Sequence, residues 1–357
     1  MILSKEQAKG FGVDFAVSVG EKKIKILQIT DMQFIDSAQC RFVGRLRQDE
    51  MEAWAPDMLD AQCGNQIRAL VAETRPDLII ITGDMVYGSF DDSGRSFNYF
   101  CDLMESFSIP WAPVFGNHDN ESRMGVDKQC EIFESAKHCL FNRGEVTGNG
   151  NYSVGLVQND KLVRVIYMID SNGCDGAEDE KVERAQGIFK DQVEWIRASH
   201  KEVEKERIVP SFLAFHIPTE EFKEAEIAKG YGDGHTFYTI GVDKEAKDGD
   251  FGCRLEGLST IHVEGFRKLL SDIHADGVFV GHYHAINTCI TYEGIKYVYG
   301  LKTGQYDSHI PGQNGGTLIR LDGEDFEVTH VVALAHYAPF PTGGAMHKNY
   351  FVEVENK

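Results

Sequence analysis

Hydrophobic and polar positions alternate between two rhythms along the first third of the chain. Short, β-rich and largely apolar runs at 24–30, 78–82 and 111–115 have the length of buried strands, and each ends in a polar cluster. Between them Ile67, Leu70 and Val71, and then Phe97, Phe100, Cys101, Met104 and Phe107, recur at the spacing of one helix face. Strand–helix–strand alternation predicts a largely parallel sheet with right-handed crossovers. Further strands are predicted at 152–157, 162–169, 211–215 and 278–280. A helix is expected over 186–206, with Ile188, Phe189, Val193 and Ile196 as its apolar stripe, and another over 263–274. The tail reads as strands at 295–299, 317–321 and 326–332.

Two segments, 218–258 and 304–316, carry too much glycine and charge for regular elements. The first is long for a connection and is expected as a lid-like excursion. Its Tyr231, His235, Phe237 and Tyr238 would form one wall of a substrate pocket, with Tyr306 and His309 of the second segment forming another. No repeat, low-complexity tract or linker interrupts the chain. Residues 1–357 therefore read as one domain, with a core over about 23–335 and a tail at 336–357.

The composition is that of a folded protein, 42% hydrophobic and 26% charged, and excludes a disordered chain. The net charge of −20 argues against nonspecific nucleic-acid binding, which needs clustered Lys and Arg. It leaves room for a small anionic substrate, because bound metal ions supply positive charge locally. No apolar run is long enough to span a membrane, so no membrane partner is expected. The first twenty residues lack the apolar block of a signal peptide, which predicts a cytoplasmic protein, or a secreted one had a leader been removed. The eight cysteines are scattered without a CxxC pair and read as small buried hydrophobes.

In open α/β sheets ligands bind beyond the carboxyl ends of the strands, and five strand ends here carry unusual residues. Asp31 and Gln33 follow the run at 24–30, and Asp84 and Tyr87 follow the run at 78–82. Asn117, His118 and Asp119 follow the run at 111–115; His216 follows 211–215; His282 and His284 follow 278–280. Singly, each has a structural alternative: Asp31 and Asp84 as helix caps, Asn117 in a turn, His216 as a hydrogen-bonded core histidine. Jointly they do not, since capping requires no histidine pair two residues apart and no second carboxylate. Carboxylate, carboxamide and imidazole together suit a pair of borderline transition metals with one carboxylate between them.

These motifs resemble the calcineurin-like metallophosphoesterase superfamily, with its D-x-H, G-D, G-N-H-D/E, lone His and G-H-x-H signature. Within it the chain is most similar to the small purple acid phosphatases of plants and their fungal relatives. The resemblance covers roughly residues 25–300. It implies a four-layer α/β fold, two mixed sheets packed face to face with helices outside. It also implies that Asp84 bridges two metals, with Asp31 and His284 completing one shell and Asn117, His216 and His282 the other. His118 would contact the phosphate and protonate the leaving oxygen, with Asp119 orienting it.

The departure is Gln33, where the common motif has a histidine ligand. Its amide oxygen would serve as a weak ligand or stand behind the ligands. Tyr87, in the G-D-x-x-Y spacing of purple acid phosphatases, offers a phenolate in place of the missing imidazole, and a buried aromatic is its other reading. Fe, Zn and Mn all suit the donor set, and the sequence does not choose among them. The implied activity is metal-dependent hydrolysis of small phosphomonoesters by a hydroxide between the two metals. Two alternatives stand beside it: a phosphodiesterase using the same centre, and a pseudoenzyme scaffold that binds metal or phosphate after the change at Gln33. A small phosphorylated substrate is the expected partner, and the oligomeric state is not legible.

Overall fold

Two mixed sheets face each other, and parallel strands form the middle of both. The computed structural model describes residues 1–20, 22–39, 59–175, 182–183, 186–205, 208–305, 307, 309–310 and 312–333. In chain order the strands are β1 (Phe15–Val19), β2 (Ile24–Ile29), β3 (Leu78–Thr82), β4 (Trp111–Val114), β5 (Tyr152–Gln158) and β6 (Lys161–Met168). The two-residue β7 (Cys174–Asp175) and β8 (Val182–Glu183) pair with each other, and β9 (Ser211–Ala214) follows. The series closes with β10 (Tyr238–Ile240), β11 (Gly252–Arg254), β12 (Ala275–Val280), β13 (Cys289–Tyr292), β14 (Ile295–Tyr299), β15 (Gly315–Asp322) and β16 (Asp325–Val332). One sheet has the order β16-β15-β2-β3-β4 and the other β1-β5-β6-β9-β12-β14-β13. The pairs β2–β3 and β3–β4 are parallel, as are β6–β9, β9–β12 and β12–β14.

Side chains of the seven-stranded sheet alternate between two cores, as the pleat requires. Val154, Ile166, Phe212 and Phe279 pack against the five-stranded sheet. Their neighbours Val165, Leu213 and Val278 face the other way, onto Val193 and Ile196 of the helix Lys190–Val203 and Phe266 and Leu269 of the helix Phe266–Asp272. The helices Leu59–Thr74, Arg95–Ser106 and Val126–Ser135 cover the five-stranded sheet, burying Ile67, Leu70, Phe97, Phe100 and Phe133 in the first core. Four layers result; Val193 and Ile196 of the expected stripe turn inward, but the helix expected over 186–206 begins only at Lys190, so Ile188 and Phe189 precede it.

The helices Lys5–Gly10 and Val126–Ser135 are additional to the expected elements, and other elements depart from expectation as well. β1 adds an unpredicted edge strand parallel to β5. β13 turns back on β14 through Glu293 and Gly294, both at positive φ, the backbone of a tight hairpin that reads as a loop when the glycine is taken as a breaker. The excursion at 218–258 is not structureless: it holds the helix Glu220–Ala228 and the hairpin β10–β11. Arg254, 1% exposed, fastens it by donating to Thr236 O and to Gly234 O and by pairing with Glu226 at 3.2 Å. Tyr231 and Tyr238 are buried at 1% exposure, which corrects their expected place in a substrate wall. Tyr306, Cys40 and the tail at 336–357 lie outside the described residues. Among the described residues no helix is long and apolar enough to cross a membrane.

Candidate metal centre

The chain leaves β2, β3, β4, β9 and β12 along one edge, where the two sheets meet, and the backbone there is held in unusual conformations. Asp31, Gln33, Asp84 and His282 all have positive φ, between 48° and 76°. Such residues persist only where the surroundings over-determine them, and they concentrate at functional sites. The surroundings here are hydrogen bonds between the strand-end loops: Asp31 N to Gly83 O, Gln33 N to Asp84 O, and Gly281 N to His216 O. The close approach needs glycine twice. A Cβ at Gly116 would overlap Asp84, and one at Gly281 would overlap Thr30 Oγ1 and stand 2.7 Å from Asp31 Oδ2.

The donor atoms converge in two sets that share Asp84. In the first, ligand atoms of Asp31, Asp84 and His284 lie within 4.8 Å of one another. Thr30 Oγ1 donates to Asp31 Oδ2 at 2.7 Å and the His282 amide donates to the same carboxylate, so its orientation is fixed. In the second, Asn117 Oδ1 is 3.1 Å from His216 Nε2 and 2.9 Å from His282 Nδ1, and His216 Nε2 is 3.4 Å from Asp84 Oδ2. His216 Nδ1 lies 2.7 Å from Thr82 O, which holds its proton and turns the Nε2 lone pair inward. A carboxylate, a carboxamide oxygen and two imidazoles facing one point form a set of acceptors that fits a cation.

The titrations follow from this crowding. Burial works against the charge on His216, but Asp84 and then Asp31 outweigh it and hold its pKa at about 9. Burial opposes ionisation of Asp84 too, yet His216 and His118 keep its carboxyl well below the usual range. His282, buried beside His216, is pushed down to about 3 and stays neutral, whereas His216 would have to give up a proton to bind a cation.

His118 stands at the outer side of the site, its side chain 20% exposed where those of Asp31 and His216 have no exposure. Its amide donates to Asp84 Oδ1 at 2.9 Å, and its Nδ1 is 3.0 Å from Glu121 Oε2. Burial lowers the His118 pKa, but Asp84 and Glu121 outweigh it and lift it to about 9. Asp119 does not orient His118 through its carboxylate, contrary to expectation. Its oxygens accept from the backbone amides of Asp84, Val86 and Gly116 and so tie two strand-end loops together. The carboxylate beside the imidazole belongs to Glu121, a residue missed in the sequence although it follows His118 by one helical turn. Tyr87 stacks face to face on His118, ring centroids 4.5 Å apart, and is 9% exposed.

Gln33 is fully buried, and its Oε1 accepts from Lys302 Nζ at 2.7 Å. Lys302 also donates to Asp31 O at 2.9 Å, and burial lowers its pKa while Asp31, Asp307 and Asp84 oppose that shift. Asp307 Oδ2 lies 3.7 Å from His284 Nδ1, a carboxylate on the far side of a candidate ligand. Lys302 falls in the GLKTG stretch that shares the style of the purple acid phosphatases but has no assigned role there, and Asp307 belongs to no readable motif.

The family model for calcineurin-like phosphoesterases matches residues 24–286, a span that contains all five strand ends. The chain belongs to this family. Among curated relatives, the protein named "Probable inactive purple acid phosphatase 29" of Arabidopsis thaliana is 26% identical over 319 residues, covering 82% of this chain and 74% of that protein. "Phosphatase DCR2" of Saccharomyces cerevisiae is 25% identical over 283 residues, 76% of this chain and 45% of its own length. Among solved structures, a dimetal phosphatase from Danio rerio is 12% identical, with a TM-score of 0.47 over 87% of this chain and 96% of that one. As a calcineurin-like phosphoesterase, the chain gathers its strand-end carboxylates, carboxamide and imidazoles at one edge, with Gln33 turned to Lys302.

Proposed function

We propose that the chain is a metal-dependent phosphoester hydrolase acting on small phosphomonoesters. The observation that carries this reading is the sharing of Asp84 between two converging donor sets, with His118 beside it on the exposed side. Asp31, Asp84 and His284 would hold one cation, and Asp84, Asn117, His216 and His282 the other. Such cations, when bound, polarise a phosphoester and activate water.

The chain's own residues do the rest. The Thr30 hydroxyl and the His282 amide fix Asp31, and the Thr82 carbonyl fixes the His216 tautomer, so the ligand atoms are oriented before anything binds. Glu121 favours a proton on His118, which makes that imidazole the donor to a departing alkoxide. The preference for small substrates is supported by the excursion, where three of the five Lys and Arg side chains are engaged within the fold. Lys229 pairs with Asp248 and Asp250, Lys247 donates to Lys229 O, and Arg254 is buried.

Hydrolysis of p-nitrophenyl phosphate and bis(p-nitrophenyl) phosphate, with Mn, Zn or Fe added, tests the proposal. The monoester should turn over faster, and Asp84→Ala should abolish both metal binding and turnover; turnover retained in that variant refutes the assignment. The bond between Gln33 and Lys302 favours a second reading, metal binding without catalysis. Tight binding of metal with neither ester hydrolysed would select it.

A further inference from the structure

The two donor sets are unequal in a way that the strand-end motifs do not disclose. The second set offers four side-chain donors and the first three, and Gln33, which stands where the resemblance places a histidine ligand, faces Lys302. Its backbone is pinned at a φ of 48°, with its amide bonded to Asp84 O, and the residue has no solvent exposure.

Lys302 is equally fixed. It is 2% exposed, and its Nζ donates to Gln33 Oε1 at 2.7 Å and to Asp31 O at 2.9 Å. The segment that carries it is zipped along the Asp31 loop, Thr303 N to Thr30 O at 2.9 Å and Gly304 N to Asp31 O at 3.1 Å. Gln66 Nε2 closes the other side on Thr303 O at 2.8 Å. An ammonium has three donors and no lone pair, so it gives a metal nothing and repels it. It also engages the one oxygen that Gln33 could have offered.

We infer that Lys302 is a built-in cation that withdraws Gln33 and weakens the first donor set, so that the chain holds one metal ion tightly through Asp84, Asn117, His216 and His282 and a second only weakly. This rests on reading the strand-end residues as metal ligands, but not on any turnover.

The test is metal stoichiometry of the full chain. The apoprotein is titrated with Mn²⁺ and separately with Zn²⁺ by calorimetry, and the loaded protein is dialysed against a mild chelator before elemental analysis. The wild type should retain one equivalent and show a second site weaker by about 10- to 100-fold, the range for altered support around a ligand. Gln33→His combined with Lys302→Met should retain two.

Two equivalents of matched affinity in the wild type would overturn the inference; with ferric iron and a visible tyrosinate band, they would put Tyr87 into the first set. A folded double variant that still retains one equivalent would overturn it as well. The wild-type measurement decides the matter even if the double variant fails to fold. One tight ion without ester hydrolysis would sink the proposed activity and leave this inference standing, whereas no bound ion would sink both.

Discussion

Gly116→Ala probes the centre without altering any ligand. A methyl group there would overlap the nitrogen and Oδ1 of Asp84 and lie 2.8 Å from Asp84 Cγ. Carbon atoms rest at about 3.5–4.0 Å, so the Asp84 carboxylate must move by about 1 Å. A displacement of that size costs on the order of 100-fold at a preorganised centre. If metal is present at about 100 times the wild-type Kd, its binding stabilises the wild type by about 2.7 kcal/mol, or roughly 4 °C in Tm for a chain of this length. After a 100-fold loss of affinity the same metal contributes about 0.4 kcal/mol, a shift of roughly 0.5 °C. Thermal unfolding with and without Zn²⁺ reads this difference directly. Gly10→Ala, where a Cβ meets nothing within 4 Å, is the control and should keep the full shift. A Gly116→Ala protein with the wild-type metal shift and wild-type hydrolysis would refute the geometry argued for Asp84.

Asp307→Asn should weaken metal affinity by about 10- to 100-fold in calorimetry while leaving urea unfolding of the apoprotein unchanged, because its carboxylate backs His284 Nδ1. Arg254→Met leaves Glu226 buried without its partner and should cost about 3–5 kcal/mol in urea unfolding; a loss below about 1 kcal/mol would show that the excursion is fastened otherwise. His330 supplies a pH dependence away from the centre. Burial pushes its pKa down to about 4, while its contact with Asn287 O opposes this. The unfolded chain takes up the proton near 6.5 and the folded chain only near 4, so stability is full above 6.5 and declines between those values. Allowing for the part of the ring that water reaches, the decline is about 2 kcal/mol. His330→Asn should flatten it in urea midpoints measured at pH 7 and 4.5, and an unchanged slope would locate the sensitivity elsewhere.

What the sequence made legible follows from range. The helix faces and the largely apolar strands could be read because burial imposes periods of 3.6 and 2 on neighbouring residues: Phe97, Phe100, Cys101 and Met104 recur as a stripe and lie buried as one. The candidate ligand residues could be read for a related reason, since each sits just after an apolar run whose carboxyl end the sheet delivers to one edge. β1 and the β10–β11 hairpin had no such signal. They are short, with polar positions among their apolar ones, and their stability comes from partners far away: β5 for β1, and the clamp of Arg254 for the hairpin. The role expected of Asp119 went wrong at the scale of one turn. Sequence adjacency to His118 suggested contact, but after a residue in helical conformation the next side chain points elsewhere, and the carboxylate that returns to the imidazole is three positions on, at Glu121.

The exchange at Gln33 shows where local reading ends. From the motif alone, a lost imidazole invites a search for a replacement donor nearby, and Tyr87, within the next strand-end loop, is the natural answer. The structure adds an answer that a search for donors would never consider, because Lys302 donates hydrogen bonds and accepts none. It lies 269 residues along the chain from the glutamine it holds, in a glycine-rich turn with no metal-binding signature. A buried ammonium needs acceptors, and Gln33 Oε1 and Asp31 O supply them; a histidine at position 33 would present a nitrogen that a bound metal ion requires for itself. Gln33 and Lys302 are therefore best understood as one unit, and neither should be judged alone. For that reason, changing Gln33 to His without changing Lys302 should leave the second metal weakly held.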